Sequence, residues 1–380
     1  MLRIRSSFLA AAAVICSFAC LTARAVDVKP LEIGAAAPDF KLRGVDDKTY
    51  SLADFASAKI LVVLFTCNHC PTAQAYEARV KQLYADYHDK GVALVAINPN
   101  DVRGLRLDEL GYTDLSDSFE EMKIRAKDQD FKFPYLDDGQ TQATAKAYGA
   151  IATPHVFIFD QARKLRYQGR IDDSEVKTVH SQDARNAIDA LLADKPVAVE
   201  KTKVFGCSTK WYSKNDDVKK AFAKWDAEPV EMKPIDIAGA KALAANDSKK
   251  FRLVNVWATW CGPCVIELPQ LVEMNRMYRH RAFEFVTVSM DEPEAKEAAL
   301  AKLKELKVAT TNYILDAADK DRFVNALDPE WAGPVPFTML IAPGGKVVYR
   351  HTGEIDPLEL KKAIVTHIGR TYANEPGKAR

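Results

Sequence analysis

The pattern of apolar and polar positions predicts one order of elements twice along the chain. Each copy opens with a continuous apolar run, as expected of a strand buried on both faces of a sheet, and this run leads to a Cys-x-x-Cys turn. A helix with apolar residues at helical spacing follows, then a second strand, and later an X-Pro step before another strand. The predicted elements of the first copy are residues 60–65, 73–87, 92–97, 140–148, 155–159, 165–168 and 181–193. Those of the second copy are residues 252–258, 265–274, 283–289, 294–306, 319–326, 337–341 and 346–350, with a closing helix from Pro357.

Strands that alternate with helices of this length predict an α/β fold with two tandem domains, each a central mixed sheet flanked by helices. The length of 380 residues fits two or three domains of about 100 to 200 residues each. We predict a first domain over residues 26–196 and a second domain over residues 234–375. Residues 197–233 carry many charges together with Pro and Gly, and they are predicted to form a linker with one short helix.

The first 25 residues have the pattern of a secretory signal. Arg3 and Arg5 precede an apolar run over residues 8–21, which is shorter than the roughly 20 residues needed to span a bilayer. A small-x-small sequence follows at residues 23–25. We therefore predict cleavage after residue 25 and a periplasmic or otherwise exported protein without a transmembrane segment after cleavage. A retained anchor and a lipoprotein acylated at Cys20 are the alternatives.

The composition is that of an ordinary soluble globular protein, with 48% apolar and 28% charged residues. The chain has 53 lysines and arginines against 52 aspartates and glutamates. This balance gives no polycationic surface of the kind that nucleic-acid binding needs. We therefore expect no nucleic acid among the partners of the protein.

Two Cys-x-x-Cys pairs, Cys67 with Cys70 and Cys261 with Cys264, are the main candidates for chemistry. Two thiols at this spacing can form a disulfide, and a helix N-terminus beside them favours the thiolate of the first cysteine. In an exported, disulfide-permissive compartment such a pair is more often redox-active than zinc-bound. The pairs lie too far apart for one zinc-finger site, and neither is followed by the His of a haem attachment motif. We expect neither a metal nor a cofactor.

The second pair lies in the motif Trp-Ala-Thr-Trp-Cys-Gly-Pro-Cys at residues 257–264, with Glu-Leu-Pro at 267–269 and Val335-Pro336 further along. With these motifs the chain over about residues 231–370 closely resembles the thioredoxin superfamily. Within that superfamily the match is to the exported TlpA/ResA-like oxidoreductases. The resemblance implies a thioredoxin fold, so the expected architecture is two tandem thioredoxin-like domains.

The same resemblance implies roles for single residues. Cys261 is expected to attack and Cys264 to resolve, with a cis Pro336 facing the disulfide in the substrate-binding step Val335-Pro336. Thioredoxin itself has a buried acid six positions before its first cysteine, where this chain has Asn255. Glu267 matches the acid of the ResA-like pattern and is expected to act on Cys264 as acid and base. A plain interaction of Glu267 with the helix dipole is the alternative.

Three motifs stand out in the first copy: Ala-Pro-Asp-Phe at residues 37–40, Thr-Cys-Asn-His-Cys-Pro at 66–71, and Thr153-Pro154. With them, residues 30–195 are similar to a thioredoxin-like group at the peroxiredoxin border, of the AhpC/TSA kind. The resemblance implies that Thr153-Pro154 binds substrate beside the cysteines. The turn departs from thioredoxin, because Ala73 stands at the place that matches Glu267 in the second copy.

His69 precedes the second cysteine of the first pair and resembles the His of oxidising turns in disulfide isomerases and DsbA-type proteins. Such a His stabilises the first thiolate, so we expect a higher reduction potential at Cys67–Cys70 than at Cys261–Cys264. Electrons would then run from the second domain to the first, if the linker lets the domains meet. An exposed turn residue without catalytic effect is the alternative for His69. Two independent sites of similar potential are the alternative to the relay.

Cys207 is the odd cysteine beyond the predicted signal. It is open to three interpretations: a third redox relay, an intermolecular partner, or an unreactive buried residue.

The function predicted from these residues is an exported thiol–disulfide oxidoreductase that exchanges disulfides with protein partners through both pairs. The expected partners are protein disulfides or dithiols and an electron-donating membrane redox protein. One alternative is thiol peroxidase activity of the first domain, with Cys70 as the peroxidatic thiol and Cys67 at the position where peroxiredoxins have Thr. Another is a copper carrier that uses Cys67, His69 and Cys70.

Overall fold

The computed structural model describes residues 28–374. The predicted signal sequence, residues 1–25, lies outside the described residues. Within them, no helix combines the length and the apolar character that a membrane crossing requires.

The first domain is built on a mixed sheet whose strands run in the order β2-β1-β5-β4-β3-β7-β8. Its strands are β1 (Lys41–Gly44), β2 (Thr49–Ser51), β3 (Ile60–Phe65), β4 (Val92–Asn98), β5 (Tyr135–Asp137), β6 (Ala152–Thr153), β7 (His155–Phe159) and β8 (Leu165–Gly169). Its helices are α1 (Pro71–Tyr87), α2 (Phe119–Asp128), α3 (Ala143–Tyr148) and α4 (Asp183–Leu192). Every residue of β3 is buried, because helices cover both faces of the sheet at its centre.

The second domain repeats this plan with a six-stranded mixed sheet in the order β10-β13-β12-β11-β14-β15. Between the domains lie β9 (Cys207–Ser208) and α5 (Asn215–Asp226). The second domain has strands β10 (Lys233–Ile235), β11 (Phe251–Trp257), β12 (Phe283–Ser289), β13 (Thr311–Leu315), β14 (Phe337–Ile341) and β15 (Val347–Thr352). Its helices are α6 (Ile237–Ala245), α7 (Gly262–Tyr278), α8 (Lys296–Glu305), α9 (Lys320–Leu327) and α10 (Pro357–Ile368). The predicted α/β fold of two tandem domains with mixed sheets is confirmed.

Strand register brings each cysteine pair to its X-Pro step. β3 is parallel to β4 on one side and antiparallel to β7 on the other, with Phe65 opposite His155. The chain therefore leaves β3 toward the first cysteine pair beside the point where Thr153-Pro154 enters β7. β11 has the same two kinds of neighbour, the parallel β12 and the antiparallel β14.

Part of the predicted linker packs on the first domain. β9 pairs with β6 in a small antiparallel sheet, and the backbone N–H of Thr202 donates to the carbonyl of Gln168 over 3.1 Å. The predicted short helix is present as α5. Residues 201–212 therefore lie against the first domain, although the sequence places them between the domains.

The polar insertion after β4 forms much of the contact between the domains. Leu105 and Leu110 are buried in the core of the second domain. Tyr278 Oη, at the C-terminal end of α7, donates to the carbonyl of Thr113 over 3.0 Å. The carboxylate of Asp114 accepts two hydrogen bonds from Arg370, which follows α10. These contacts hold the two domains together through the C-terminal ends of α7 and α10.

Candidate functional site

The second cysteine pair lies where a buried strand ends and a helix begins. β11 ends at Trp257, and Cys261 is the N-cap of α7. Cys261 and Cys264 form a disulfide, and the backbone N–H of Cys264 donates to Cys261 Sγ over 3.3 Å. The positive end of the helix dipole stabilises a thiolate at Cys261 when the disulfide is reduced.

The surface around this pair is open. Trp260 is 70% exposed and Ile266 is 64% exposed, although both side chains are large and apolar. The Val335–Pro336 peptide bond is cis and immediately precedes β14. Exposed apolar side chains beside a redox pair form a surface against which a partner protein can pack.

Glu267 is fully buried one helical turn after Cys264. Its Oε1 accepts a hydrogen bond from Asn255 Nδ2 over 2.8 Å, and its Oε2 accepts one from the backbone N–H of Ile355 over 3.1 Å. Burial raises the pKa of Glu267, and these two hydrogen bonds offset only part of that rise. A carboxyl with a raised pKa holds its proton to a higher pH than an ordinary carboxyl and can release it again.

The first pair lies differently on its helix. α1 begins at Pro71, so Cys70 is the N-cap, and Cys70 Sγ accepts a hydrogen bond from the backbone N–H of Ala73 over 3.5 Å. The expectation that the helix N-terminus lies at the first cysteine of each pair is therefore wrong for Cys67. Proline favours the first helical position and disfavours helical geometry in the residue before it, which fixes Cys70 outside the helix.

The two thiols of the first pair differ in acidity. Burial, the hydrogen bond with Cys70 and the charge of Asp117 all raise the pKa of Cys67 well above its usual range. Burial acts against ionisation of Cys70 as well. Hydrogen bonds from Cys207 and Cys67 and the charge of His69 outweigh it, and they hold the pKa of Cys70 well below its usual range. Cys70 is therefore the thiol that ionises first.

A buried ion pair supports Cys70. The Nδ1 of His69 lies 2.6 Å from Asp117 Oδ2, and both side chains are buried. Burial lowers the pKa of His69, but the charge and hydrogen bond of Asp117 raise it by more. Asp117 thus favours the charged form of His69 next to Cys70. The sequence predicted that this His stabilises the first thiolate, whereas its charge acts on the thiolate of the second cysteine.

Asp117 is fixed by donors from three directions. Its Oδ1 accepts from the backbone N–H groups of Asn68, over 2.8 Å, and His69, over 3.1 Å. Its Oδ2 accepts from Asn100 Nδ2 over 2.7 Å. These bonds stabilise the ionised carboxylate in a buried place and orient the His69 ring.

Three possible metal-binding atoms lie together in this region. Cys67 Sγ, a ring nitrogen of His69 and a carboxylate oxygen of Asp117 are all within 4.8 Å of one another. The carboxylate already accepts from His69 Nδ1, and Cys67 Sγ lies 3.1 Å from Thr153 Oγ1. The His69 Nε2 atom has no hydrogen-bond partner within residues 28–374.

The first site is covered by other parts of the chain. Cys70 Sγ donates to the carbonyl of Thr153 over 3.1 Å, and Cys207 packs against both thiols of the pair. Tyr372 lies close enough that Cys207 and Cys70 add to the rise that burial causes in its pKa. The ring of Tyr372 also packs edge-on against Tyr112, with ring centroids 5.0 Å apart. The first pair is therefore closed in at the domain boundary. The second pair is buried as well, with Cys261 7% exposed, but exposed apolar side chains border it.

Sequence reasoning missed Asp117, Tyr372 and the place of Cys207. Asp117 is one of several acids in a polar insertion, and nothing in its spacing marks it as buried. Cys207 carried one usable signal, namely that an odd cysteine remains after the two pairs are assigned.

The fold and the two cysteine pairs define a protein with two thioredoxin-fold domains. The family model described as AhpC/TSA family matches residues 33–168, and the Redoxin family model matches residues 239–364. The two family models support a protein of the thioredoxin superfamily, and about a third of the chain is similar to the ResA thiol-disulfide oxidoreductases. The resemblance stated from the motifs is thus confirmed.

Similar proteins include several named oxidoreductases. The thiol-disulfide oxidoreductase ResA of Geobacillus thermodenitrificans is 28% identical over 129 residues, which are 34% of this chain and 70% of that protein. The ResA of Bacillus subtilis is 32% identical over 120 residues, 31% of this chain and 63% of that protein. A solved structure of an uncharacterized conserved protein from Geobacillus kaustophilus is 40% identical, with a TM-score of 0.43. The match covers 47% of this chain and 92% of the Geobacillus kaustophilus chain.

The ion pair of His69 and Asp117 predicts the effect of Asp117→Asn. Without the carboxylate the pKa of His69 falls, the imidazole becomes neutral, and the pKa of Cys70 rises toward the usual range of a thiol. Loss of one partner of a buried ion pair is expected to cost about 3–5 kcal/mol of stability as well. Titration of the thiolate absorbance in a variant lacking Cys261 and Cys264 measures the change. Asp114→Asn, which removes a buried carboxylate outside this network, is the control, and an unchanged titration in Asp117→Asn would contradict the assignment.

The burial of Glu267 predicts a pH effect with a definite sign. Its folded-state pKa lies above the unfolded value of about 4.5, so the folded protein binds more protons between these two values. Stability therefore falls as pH rises through this window, and Glu267→Gln is expected to remove that fall. The same variant is expected to slow disulfide reduction by about 10²-fold or more, the range of a lost acid–base group. Glu273→Gln, on the outer side of α7, should change neither, and equal rates in both variants would exclude an acid–base role.

Proposed function

We propose that this chain is an exported thiol–disulfide oxidoreductase that exchanges disulfides with protein partners through both cysteine pairs. The observation that carries the proposal is the second site. There a Cys261–Cys264 disulfide caps a helix beside Val335-Pro336, and exposed Trp260 adjoins it. An open redox pair with an apolar rim suits a macromolecular partner better than a small substrate.

The exchange at this site has two steps. In the reducing direction the Cys261 thiolate attacks one sulfur of a partner disulfide, forms a mixed disulfide and releases the other partner sulfur as a thiolate. Cys264 then attacks Cys261 Sγ, which restores the Cys261–Cys264 disulfide and releases the second partner thiol. Two electrons pass to the partner. The oxidising direction is the reverse of these steps.

In this proposal Glu267 accepts the proton of Cys264 and returns it. Cys264 must lose its proton to attack, and it regains one when the disulfide is reduced. Glu267 lies one turn further along the same helix, and its raised pKa lets it accept and return that proton. Asn255, at the position of the thioredoxin acid, instead donates a hydrogen bond that orients Glu267.

The first site is proposed to perform the same exchange with a different nucleophile. Cys70 attacks and Cys67 resolves, because Cys70 caps the helix and lies beside the charged His69. Peroxide reduction by the first domain is the second candidate. The closed position of Cys70 favours it, since a small oxidant reaches a buried thiolate more easily than a protein does.

The partners are proposed to be protein disulfides or dithiols outside the cytoplasm, with a membrane redox protein as electron donor. The exported location rests on the signal pattern of residues 1–25. Names of similar proteins support thiol–disulfide exchange as the reaction.

Replacement of Cys264 by Ser is expected to trap partners. Attack by Cys261 survives in this variant while resolution is lost, so mixed disulfides accumulate and can be isolated from the exported fraction under non-reducing conditions. The double variant with Cys261→Ser as well is the control and should trap nothing at this site. Adducts that map to Cys67 or Cys207 rather than Cys261 would contradict the assignment.

Export predicts a mature chain that starts near Val26. Intact-mass measurement of the protein recovered from the exported fraction tests this directly. A species that retains residues 1–25, or a protein found only in the cytoplasm, would contradict the proposed location.

A further inference from the structure

A short stretch between the domains is docked onto the first redox site. This docked segment, residues 205–212, contains β9, which pairs antiparallel with β6. In that pairing Cys207 lies opposite Thr153, and Ser208 lies opposite Ala152. The strand position beside Thr153-Pro154 is therefore occupied by the chain itself.

Gly206 allows the docked segment to lie close to Thr153-Pro154. The residue has φ of +135°, and an added Cβ would lie 2.1 Å from the carbonyl oxygen of Thr153 and 3.2 Å from Pro154 Cδ. A side chain at this position would separate the segment from the X-Pro step. Glycine thus allows the close approach that sets Cys207 against the cysteine pair.

Side chains of the first domain hold the rest of the docked segment. Thr209 Oγ1 donates to the carbonyl of Ala150 over 2.6 Å. The backbone N–H of Lys210 donates to Asn100 Oδ1 over 2.8 Å, and that of Tyr212 donates to Gln142 Oε1 over 2.9 Å. These bonds fix the backbone on the C-terminal side of Cys207, so the position of its sulfur is built into the fold.

The result is a group of three thiols rather than a pair. Cys207 packs against Cys67 and Cys70, and its backbone N–H donates to Cys70 Sγ over 3.4 Å. Cys207 is only half-buried, whereas Cys67 and Cys70 are 3% and 0% exposed. Of the three cysteine residues, Cys207 is therefore the most exposed.

We propose that Cys207 is a third redox-active thiol, which forms a disulfide with Cys70 by exchange within the chain, so that the docked segment acts as a built-in substrate strand of the first domain. This inference rests on the proposed redox activity of Cys67–Cys70. It adds a third residue to that site and identifies what occupies the strand position there.

The exchange balances without an external oxidant once the pair is oxidised. Cys207 gives up its proton, and its thiolate attacks Cys70 Sγ. The Cys70–Cys207 bond forms as the Cys67–Cys70 bond breaks, and the Cys67 thiolate takes up a proton. Thr153 Oγ1, 3.1 Å from Cys67 Sγ, can donate to that thiolate. The two oxidising equivalents thereby move from a buried pair to a sulfur near the surface.

The test uses the full chain with Cys67→Ser, so that Cys207 is the one cysteine left beside Cys70 at the first site, among the described residues. Oxidised glutathione is added to the reduced protein, free thiols are alkylated, and peptides are mapped by mass spectrometry. Attack of Cys70 on glutathione disulfide gives a mixed disulfide, which Cys207 is expected to resolve with release of glutathione. The expected product is a Cys70–Cys207 linked peptide without a glutathione adduct.

A matched glycine pair tests the role of docking. Gly206→Ala in the Cys67→Ser background is expected to slow resolution by roughly tenfold or more, since misplacement of a reacting group by about 1 Å costs up to about 10²-fold. Gly34→Ala is the control, because Gly34 also has positive φ but its added Cβ would meet nothing within 4 Å.

The wild-type chain separates the two levels of the proposal. If glutathione disulfide produces no disulfide among the three cysteines there, the first site is not redox-active and the proposed function fails at that site. If the wild type forms Cys67–Cys70, but Cys67→Ser keeps glutathione on Cys70 with Cys207 free to be alkylated, the third thiol is overturned and the proposed function stands. Equal resolution rates in the two glycine variants would overturn the built-in substrate strand.

Discussion

The residue at which the helix begins places one cysteine of each pair at the positive end of a helix dipole. A helix N-terminus stabilises an anion only within its first turn, so it favours the thiolate of the cysteine that caps the helix. In the second domain this is Cys261, the first cysteine of its pair. In the first domain it is Cys70, the second cysteine, because Pro71 starts the helix directly after it. The two sites share a fold and a spacing, yet the cysteine that caps the helix stands at opposite ends of the Cys-x-x-Cys turn.

The helix start at Pro71 also determines where His69 lies in the first site. With Cys70 at the cap, His69 falls in the turn, where its backbone N–H and its ring both reach Asp117. Asp117 belongs to the polar insertion after β4, and Leu110 of the same insertion packs in the core of the second domain. One insertion therefore both supports the charged His69 and joins the domains. The same short stretch of chain therefore affects the electrostatics around Cys70 and contributes to the packing of the second domain.

The sequence predicted the central strands because a run of apolar residues buried on both faces has few other structures open to it. Strands such as Ile60–Phe65 and Phe283–Ser289 have the bounds expected from the pattern. Short edge strands and α2 were missed, since their apolar content is low and their stability comes from tertiary contacts. The cysteines were identifiable from spacing, whereas Asp117 was not, because no local pattern reports a contact across 48 residues. The helix start at Pro71 was readable in principle from Cys70-Pro71, because proline favours the first helical position and disfavours the helical conformation in the residue before it.

The distance between the two sites limits how electrons can pass between them. Cys261 lies at the N-terminal end of α7, while Tyr278 at its other end touches the first domain, and a helix of 17 residues spans about 25 Å. Thiol–disulfide exchange needs the sulfurs in contact, so a direct relay would require the domains to separate. Separation breaks the Arg370–Asp114 pair, in which Asp114 is 2% exposed, and loss of a buried partner costs about 3–5 kcal/mol. A carrier protein that visits the Cys261 site, with its exposed apolar border, and the half-buried Cys207 needs no such separation. The arrangement therefore favours transfer between the sites through an external partner.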